Sequence, residues 1–138
     1  MYKRIFLDTN PIIYLVENQQ PYADKVLDFI VQGLDDKSEF YTSTITDAEF
    51  LVKPYSKNDL QSIELYREFL SKLGILKCFV TEQIAEKAAK IRAKYPNIKL
   101  GDSIQLAASI DCECDCFYTN DSQLNQVTEA NVVCLDQI

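Results

Sequence analysis

Histidine is absent from the 138-residue sequence. Without an imidazole the chain cannot use Ser-His or Cys-His nucleophilic catalysis, histidine acid–base chemistry, or a zinc site with histidine ligands. Any chemistry that the protein performs must therefore use carboxylates, hydroxyls, thiols, lysines or a bound ion.

Long hydrophobic runs are also missing, since no apolar stretch approaches the roughly 18 residues that a membrane-spanning helix needs. The first apolar run, residues 5–7, ends at Asp8 and is too short for a signal peptide. We therefore expect a cytoplasmic protein without a membrane segment. In that compartment the odd number of five cysteines favours reduced thiols over a disulfide framework.

Three of the cysteines form the run Cys112-Glu113-Cys114-Asp115-Cys116. Its spacing is not that of common zinc motifs, and no histidine or distant cysteine pair completes a site. We therefore expect no metal here, and expect Cys116 to be a small buried residue at the start of a strand.

The composition is that of a folded domain, because 47% of the residues are hydrophobic and 11% are aromatic. The length predicts a single domain over residues 1–138. A net charge of −7 argues against a general nucleic-acid binder, which usually has a basic balance. However, several carboxylates gathered around a metal would account for much of this excess, so nucleic acid stays a possible substrate.

Apolar, β-branched runs alternate with helical patterns along the chain. We predict five strands near residues 5–7, 39–44, 75–80, 116–119 and 131–135. The predicted helices follow N-caps at Asn10, Thr46 and Thr81, and one of them ends at Pro54. A further helix after residue 59 places Leu60 on its buried stripe. This alternation indicates a parallel sheet wrapped in helices with right-handed crossovers.

Four carboxylates occupy similar positions in this pattern. Asp8 ends the first strand, and Asp121 lies two residues past the fourth. Glu49 is expected early in the helix after the second strand, and Asp102 in the first turn of the helix before the fourth. Because the ends of parallel strands and the starts of the following helices share one sheet edge, these groups are expected to face one crevice.

Such a cluster needs compensation. Two carboxylates about 5 Å apart repel by roughly 3 kcal/mol at an effective dielectric near 20, equivalent to a pKa shift of about two units. The helix N-termini expected beside Glu49 and Asp102 would offset a fraction, and Mg²⁺ or Mn²⁺ far more. Each acid also has a simpler interpretation: Asp8 and Asp121 as helix caps, Asp102 as a helix-dipole partner, and Glu49, like its neighbour Asp47, as a solvated helix residue.

Four segments carry a family pattern: IFLDTNPIIY at residues 5–14, TSTITDAE at 42–49 with LVKP at 51–54, GDSIQLAA at 101–108, and FYTND at 117–121. In this order they resemble the motifs of PIN-domain proteins, in particular the VapC-type ribonuclease toxins. The resemblance spans almost the whole chain and retains all four acidic positions. It implies a three-layer α/β/α fold with a central parallel sheet of about five strands.

The resemblance also implies a function. It points to Mg²⁺- or Mn²⁺-dependent cleavage of RNA, a small antitoxin partner that blocks the site, and, as is often so in this family, a homodimer. Asp8, Glu49 and Asp102 would be the principal metal ligands or water-positioning groups, and Asp121 would complete the site directly or through water. The expected supporting residues are Thr9, Asn10, Thr119 and Asn120.

Two positions qualify the match. Gly101 stands where many relatives have proline, which is expected to loosen the entry to the helix without removing the ligand. Asn120 and Asp121 are adjacent, and either side chain could face the metal.

A basic stretch precedes the third motif and comprises Lys87, Lys90, Arg92, Lys94 and Lys99. It could steer an RNA backbone, because phosphate contacts dominate such binding. Lys99 and Arg92 are the candidate substrate contacts, whereas Lys87 and Lys90 fit a solvated helix face.

Two alternatives to a ribonuclease remain open at this point. One is a PIN domain that binds RNA or a partner without turnover. The other is an aspartyl-phosphate phosphatase, which also begins with a strand ending in aspartate, although such enzymes need a second acid where this chain has Asn10.

Overall fold

A five-stranded parallel sheet organises the computed structural model, which describes residues 1–135 of the predicted 1–138 domain. The strands are β1 (Arg4–Leu7), β2 (Glu39–Ser43), β3 (Leu76–Cys78), β4 (Cys116–Thr119) and β5 (Val132–Cys134). Their spatial order is β3-β2-β1-β4-β5, and every neighbouring pair is parallel. The predicted parallel sheet is therefore confirmed.

Helices cover both faces of this sheet. They are α1 (Thr9–Val16), α2 (Tyr22–Asp35), α3 (Thr44–Phe50), α4 (Val52–Ser56), α5 (Leu60–Lys72), α6 (Glu82–Lys94) and α7 (Leu100–Asp111), with a short 3-10 helix at Ser122–Gln126. One hydrophobic cluster joins the sheet to α1, α2 and α5, and a second joins it to α6 and α7. This confirms the three-layer α/β/α arrangement. No helix within residues 1–135 is long and apolar enough to cross a membrane.

The central position of β1 explains its unbroken apolar run. It pairs with β2 on one side and β4 on the other, so both of its faces are covered. Ile5 and Leu7 enter one cluster, whereas Phe6 enters the other and stacks on Phe117 at a ring-centroid distance of 5.4 Å. All three are essentially inaccessible to solvent, and Asp8 follows them directly at the carboxyl edge of the sheet.

Two predicted helix caps are wrong. Asp8, and not Asn10, caps α1, because its carboxylate accepts the Thr9 backbone N–H. Ser43, and not Thr46, caps α3, because the Ser43 hydroxyl accepts the Ile45 N–H while the Thr46 hydroxyl is buried among other side chains. The α3 helix therefore begins before Thr46. As a result Glu49 lies in its last turn rather than near its N-terminus.

Three further predictions are wrong in detail. Pro54 does not end a helix but lies inside α4, near its start, where the missing N–H costs nothing. Leu60 is 71% exposed and does not belong to the buried stripe of α5. The third strand is only Leu76–Cys78, because it is an edge strand paired with β2 alone, and Phe79 and Val80 are exposed beyond it.

The cysteines also differ from expectation. Cys78 and Cys112 are joined in a disulfide between the end of β3 and the end of α7, so the prediction of reduced thiols is wrong for this pair. Cys114 and Cys116 are outside any disulfide, and Cys116 is buried in β4 as predicted. Burial raises the pKa of the Cys114 thiol to about 12, which leaves it protonated and unreactive near neutral pH.

Candidate functional site

Asp8 lies at the centre of the carboxyl edge, between the ends of β2 and β4, and is only 4% exposed. Its Oδ1 accepts the Thr9 backbone N–H at 2.9 Å, which starts α1. Its Oδ2 accepts the Thr119 hydroxyl at 2.8 Å from the end of β4. Two elements therefore hold the carboxylate in a fixed orientation.

The electrostatics of Asp8 are unfavourable for a charged group. The pKa of Asp8 is raised from 3.8 to about 7, chiefly by burial and to a smaller extent by the charges of Asp102 and Glu49. The hydrogen bonds from Thr119 and Thr9 act in the opposite direction and lower it. A carboxyl group that titrates near neutrality inside an acidic cluster is a strong candidate for a functional site.

Glu49 reaches this centre from the last turn of α3. Its Oε1 accepts the Thr9 hydroxyl at 2.6 Å, so the residue that follows Asp8 ties the two acids together. Its Oε2 faces Gly101, where an added Cβ would lie only 3.4 Å away. A Cβ at this distance would make an ordinary van der Waals contact with the carboxylate. Because Glu49 lies in the last turn of α3, the expected stabilisation by that helix's N-terminus is wrong.

Asp102 occupies the first turn of α7 and is partly buried. Burial raises its pKa, and so do the charges of Asp121 and Glu49, whereas Lys99 lowers it. Within residues 1–135 no hydrogen bond is formed to its carboxylate, so both oxygens are open to an incoming group. Asp102 is therefore the acid whose pKa responds both to Glu49 on α3 and to Asp121 after β4.

Asp121 caps the 3-10 helix, where its Oδ1 accepts the Gln123 N–H at 3.0 Å. Its backbone N–H donates to the Thr119 hydroxyl at 3.1 Å, which links it to Asp8 through one side chain. The neighbouring Asn120 side chain donates instead to the Tyr14 hydroxyl at 2.9 Å. Asp121, and not Asn120, is therefore the residue whose charge acts on Asp102.

The other expected residues differ in whether they contact the acids. Thr9 and Thr119 contact the acids through their hydroxyls, as described. Asn10 is exposed, and no hydrogen bond joins its side chain to an acid within the described part of the chain. Lys99 caps α7 and is close enough for its charge to act on Asp102. Arg92 uses its Nε to donate to the Ile98 carbonyl at 3.3 Å and so closes the α6–α7 turn.

Asp47 behaves differently from the solvated residue that we expected. It accepts the Tyr66 hydroxyl at 2.7 Å and forms an ion pair with Lys77 at 3.0 Å. These partners lie on α5 and β3, so this acid anchors α3 to its neighbours and does not join the cluster.

Sequence reasoning missed the polar residues beneath the acids. Gln105, Ser43, Thr42 and Thr46 are all fully buried and hydrogen-bonded to one another. A signal for Gln105 was present, because it lies three residues after Asp102 on the same face of an otherwise apolar helix. A polar side chain at a core position of this kind needs a partner.

The donor set fits a hard divalent cation. It consists of oxygen atoms alone, and Asp102, Glu49 Oε2 and the second oxygen of Asp121 accept no hydrogen bond from the described residues. Within residues 1–135 no three acidic or cysteine side chains are gathered in metal-binding geometry. The ligand atoms therefore suit a divalent metal ion, but the acidic side chains would have to move closer together to bind it.

The comparisons with known proteins agree with this fold. The model of the PIN domain family matches residues 5–130. No curated protein has a significantly similar sequence. The structure of VapBC2 from Rickettsia felis bound to a DNA fragment from their promoter is similar, with a TM-score of 0.79, 15% identity, and coverage of 95% of this chain and 98% of that chain.

Two more solved structures have the same fold. VapBC-1 from nontypeable Haemophilus influenzae matches with a TM-score of 0.73 and 21% identity over 96% of this chain and 98% of that chain. VapC20 of Mycobacterium tuberculosis, described as a sarcin-ricin loop cleaving toxin, matches with a TM-score of 0.69 and 16% identity over 90% of this chain and 95% of that chain. At these identities the likeness shows the shared fold.

Proposed function

The chain belongs to the PIN domain family, and from this premise we propose that it is a metal-dependent endoribonuclease, the toxin of a type II toxin–antitoxin pair. The observation that carries the proposal is the group of four carboxylates, Asp8, Glu49, Asp102 and Asp121, whose charges act on one another at the carboxyl edge of the sheet. The pKa values of Asp8 and Asp102 are raised, and a positive partner would favour the ionised forms of these two groups.

The four acids would hold Mg²⁺ or Mn²⁺, which would neutralise their charge, lower the pKa of a bound water and stabilise the charge that develops on the phosphodiester. Asp8 would be held in place by Thr9 and Thr119. Asp102 offers two unbonded oxygens from the opposite side. The chain's own contribution would be to orient the Asp8 carboxylate through these two hydrogen bonds.

RNA would approach from the side of Lys99, the exposed cation whose charge reaches Asp102. Its ammonium group would contact a phosphate and offset part of the repulsion between the backbone and a chain of net charge −7. Arg92 would contribute in the same region through the part of its guanidinium that is not bonded to Ile98.

A protein partner would control this activity. Similar structures include VapBC complexes and a toxin–antitoxin complex from Klebsiella pneumoniae, in which a toxin is bound to its antitoxin. We propose a small antitoxin that covers the acidic edge, and a homodimer of the chain itself. A short reading frame directly upstream that encodes a DNA-binding protein would support the first point.

The direct test is RNA cleavage by the purified protein with Mn²⁺, compared with Asp102→Asn. The matched control is Asp111→Asn, which changes an exposed acid at the other end of the same helix. We expect cleavage that depends on Mn²⁺, is lost in Asp102→Asn and persists in Asp111→Asn. Absence of cleavage, or equal cleavage by both variants, would contradict the proposal.

A second candidate is a PIN domain that binds RNA or a partner without turnover. The observation that favours it is that the described acids are not gathered in metal-binding geometry. Such a protein would bind RNA equally well with EDTA and with Mn²⁺ and would leave it intact. Metal-dependent turnover would eliminate this candidate.

A further inference from the structure

Gln105 lies fully buried on α7, one turn after Asp102. Its amide contacts side chains from two other regions of the fold. The Nε2 atom lies 2.8 Å from the Thr46 hydroxyl, 3.2 Å from the Thr9 hydroxyl and 3.5 Å from Asp8 Oδ1. On the other side, Oε1 accepts the hydroxyl of Ser43. A single amide therefore joins α7 to the beginnings of α1 and α3.

The direction of every hydroxyl in this network can be deduced by counting protons. The Thr42 hydroxyl donates its only proton to the Leu7 carbonyl at 2.9 Å. In the 2.7 Å contact between Thr42 and Thr46, Thr46 must then be the donor. The Thr9 hydroxyl donates to Glu49 Oε1 at 2.6 Å, which uses its only proton as well.

Thr9 and Thr46 have therefore no proton left for each other, although their hydroxyl oxygens lie 3.3 Å apart. Both oxygens need a donor from outside, and the two N–H groups of Gln105 are directed at them. The amide N–H groups thus donate to the oxygens of Thr9 and Thr46, and each hydroxyl can then donate its own proton to another acceptor.

The opposite orientation of the amide would break this pattern. With Oε1 and Nε2 exchanged, the amide oxygen would face Asp8 and draw the hydroxyl protons of Thr9 and Thr46 toward itself. Thr42 and Thr46 would then face each other as two acceptors, and Glu49 would lose its donor. In the observed orientation the Ser43 hydroxyl donates its proton to Oε1 while it accepts the Ile45 N–H, whereas the exchanged amide would offer that proton no acceptor.

We propose that Gln105 is the positioning residue of the acidic site: its amide fixes the Thr9 hydroxyl as a donor to Glu49 and so sets where Glu49 meets Asp8 and Asp102. The relevance of this role to metal binding and RNA cleavage rests on the function proposed above. The positioning itself is a property of the protein without metal or substrate.

Gln105→Met tests this role, because it keeps the length of the side chain and removes both N–H donors. The matched control is Ser109→Ala, one turn further along the same buried face, where the hydroxyl bonds only to the Leu106 carbonyl of its own helix. Thermal unfolding, Mn²⁺ titration and cleavage kinetics are measured for wild type and both variants.

We expect Gln105→Met to weaken Mn²⁺ binding by about 10-fold or more, the usual effect of losing a hydrogen bond behind a metal ligand. In cleavage, kcat is expected to fall while KM for RNA stays near the wild-type value, because Gln105 does not touch the substrate. Ser109→Ala is expected to change stability alone. Mn²⁺ binding and kcat unchanged in a folded Gln105→Met protein would overturn the proposal.

Crystal structures of the metal-free protein separate this inference from the proposed function. In Gln105→Glu, crystallised at a pH at which the new carboxyl group is ionised, the side chain keeps its shape but only accepts protons, so the Thr9 hydroxyl is expected to turn toward residue 105 and leave Glu49. If the 2.6 Å contact between Thr9 and Glu49 persists in this variant, the inference is wrong. If wild type neither binds Mn²⁺ nor cleaves RNA, the proposed function fails, and this structural comparison still decides the role of Gln105.

Discussion

Replacing Asp8 by asparagine should stabilise the metal-free protein at neutral and alkaline pH. The side chain is fully buried, and its pKa is raised from 3.8 to about 7. Above this pH the fold has to hold a buried negative charge that the unfolded chain exposes to water. Asparagine has the same shape, carries no charge, and is an equally good N-cap for α1.

The sign and size follow from the pKa difference between the folded and unfolded states. Below about pH 4 the carboxyl group is protonated in both states, and the charge costs nothing. As the pH rises from about 4 to about 7, the unfolded chain ionises first, so the free energy of unfolding falls. Since one pKa unit is worth about 1.4 kcal/mol, the total loss reaches about 4 kcal/mol above pH 7.

The substitution also has a local cost. Oδ1 of an asparagine can keep the Thr9 N–H, but its amide nitrogen would face the Thr119 hydroxyl, which then loses its acceptor. A buried hydrogen bond lost in this way costs about 1 kcal/mol. The expected net gain for Asp8→Asn is therefore about 2–4 kcal/mol at pH 8, and a loss of about 1 kcal/mol at pH 4.

Urea unfolding of wild type and Asp8→Asn in EDTA, at both pH values, measures this difference. Saturating Mn²⁺ should reverse the order at pH 8, because only wild type gains the full binding energy of the ion. A pH-independent difference between the two proteins, or a variant that is less stable than wild type at pH 8 in EDTA, would refute the reasoning.

Two more substitutions address the surroundings of the acids. Gly101→Ala should stabilise α7 by up to about 1 kcal/mol through helix propensity. The new Cβ would lie 3.4 Å from Glu49 Oε2, an ordinary van der Waals contact, so Mn²⁺ affinity measured by titration calorimetry should stay near the wild-type value, and a clear loss of affinity would contradict this. Thr119→Val removes the hydroxyl donor that lowers the pKa of Asp8, so this pKa should rise. The pH at which Mn²⁺ binding is half-maximal should then move upward, and a downward or absent shift would contradict the hydrogen bond from Thr119 to Asp8.

The positions of Asp8 and Asp121 on one edge were predictable from sequence. Both follow short apolar runs, and in a parallel sheet such runs must end on the same side. The order β3-β2-β1-β4-β5 makes their strands neighbours, which the sequence pattern alone did not specify. The rule that parallel strands share a direction thus predicts the shared edge, whereas the proximity of the two acids depends on the strand order.

The environment of Glu49 was predicted less well. Ser43 and Thr46 are both good N-cap residues, and local sequence does not rank them. The choice is made by tertiary contacts, since the Thr46 hydroxyl is taken up by Thr42 and Gln105 and only Ser43 remains at the helix start. Buried polar networks of this kind depend on elements far apart in the chain, which is why their members were missed.

The strand order also has a consequence for synthesis. The central strand β1 is made first, but its partner β4 begins more than a hundred residues later, as the pairing of Ile5 with Cys116 shows. Until β4 has left the ribosome, Asp8 lacks both its neighbour on that side of the sheet and the hydroxyl donor Thr119. Contacts this distant in sequence form late, because the intervening loop must close first. If the chain has the proposed ribonuclease activity, it would therefore lack a complete acidic site, and could not cleave its own messenger RNA, until β4 has been made.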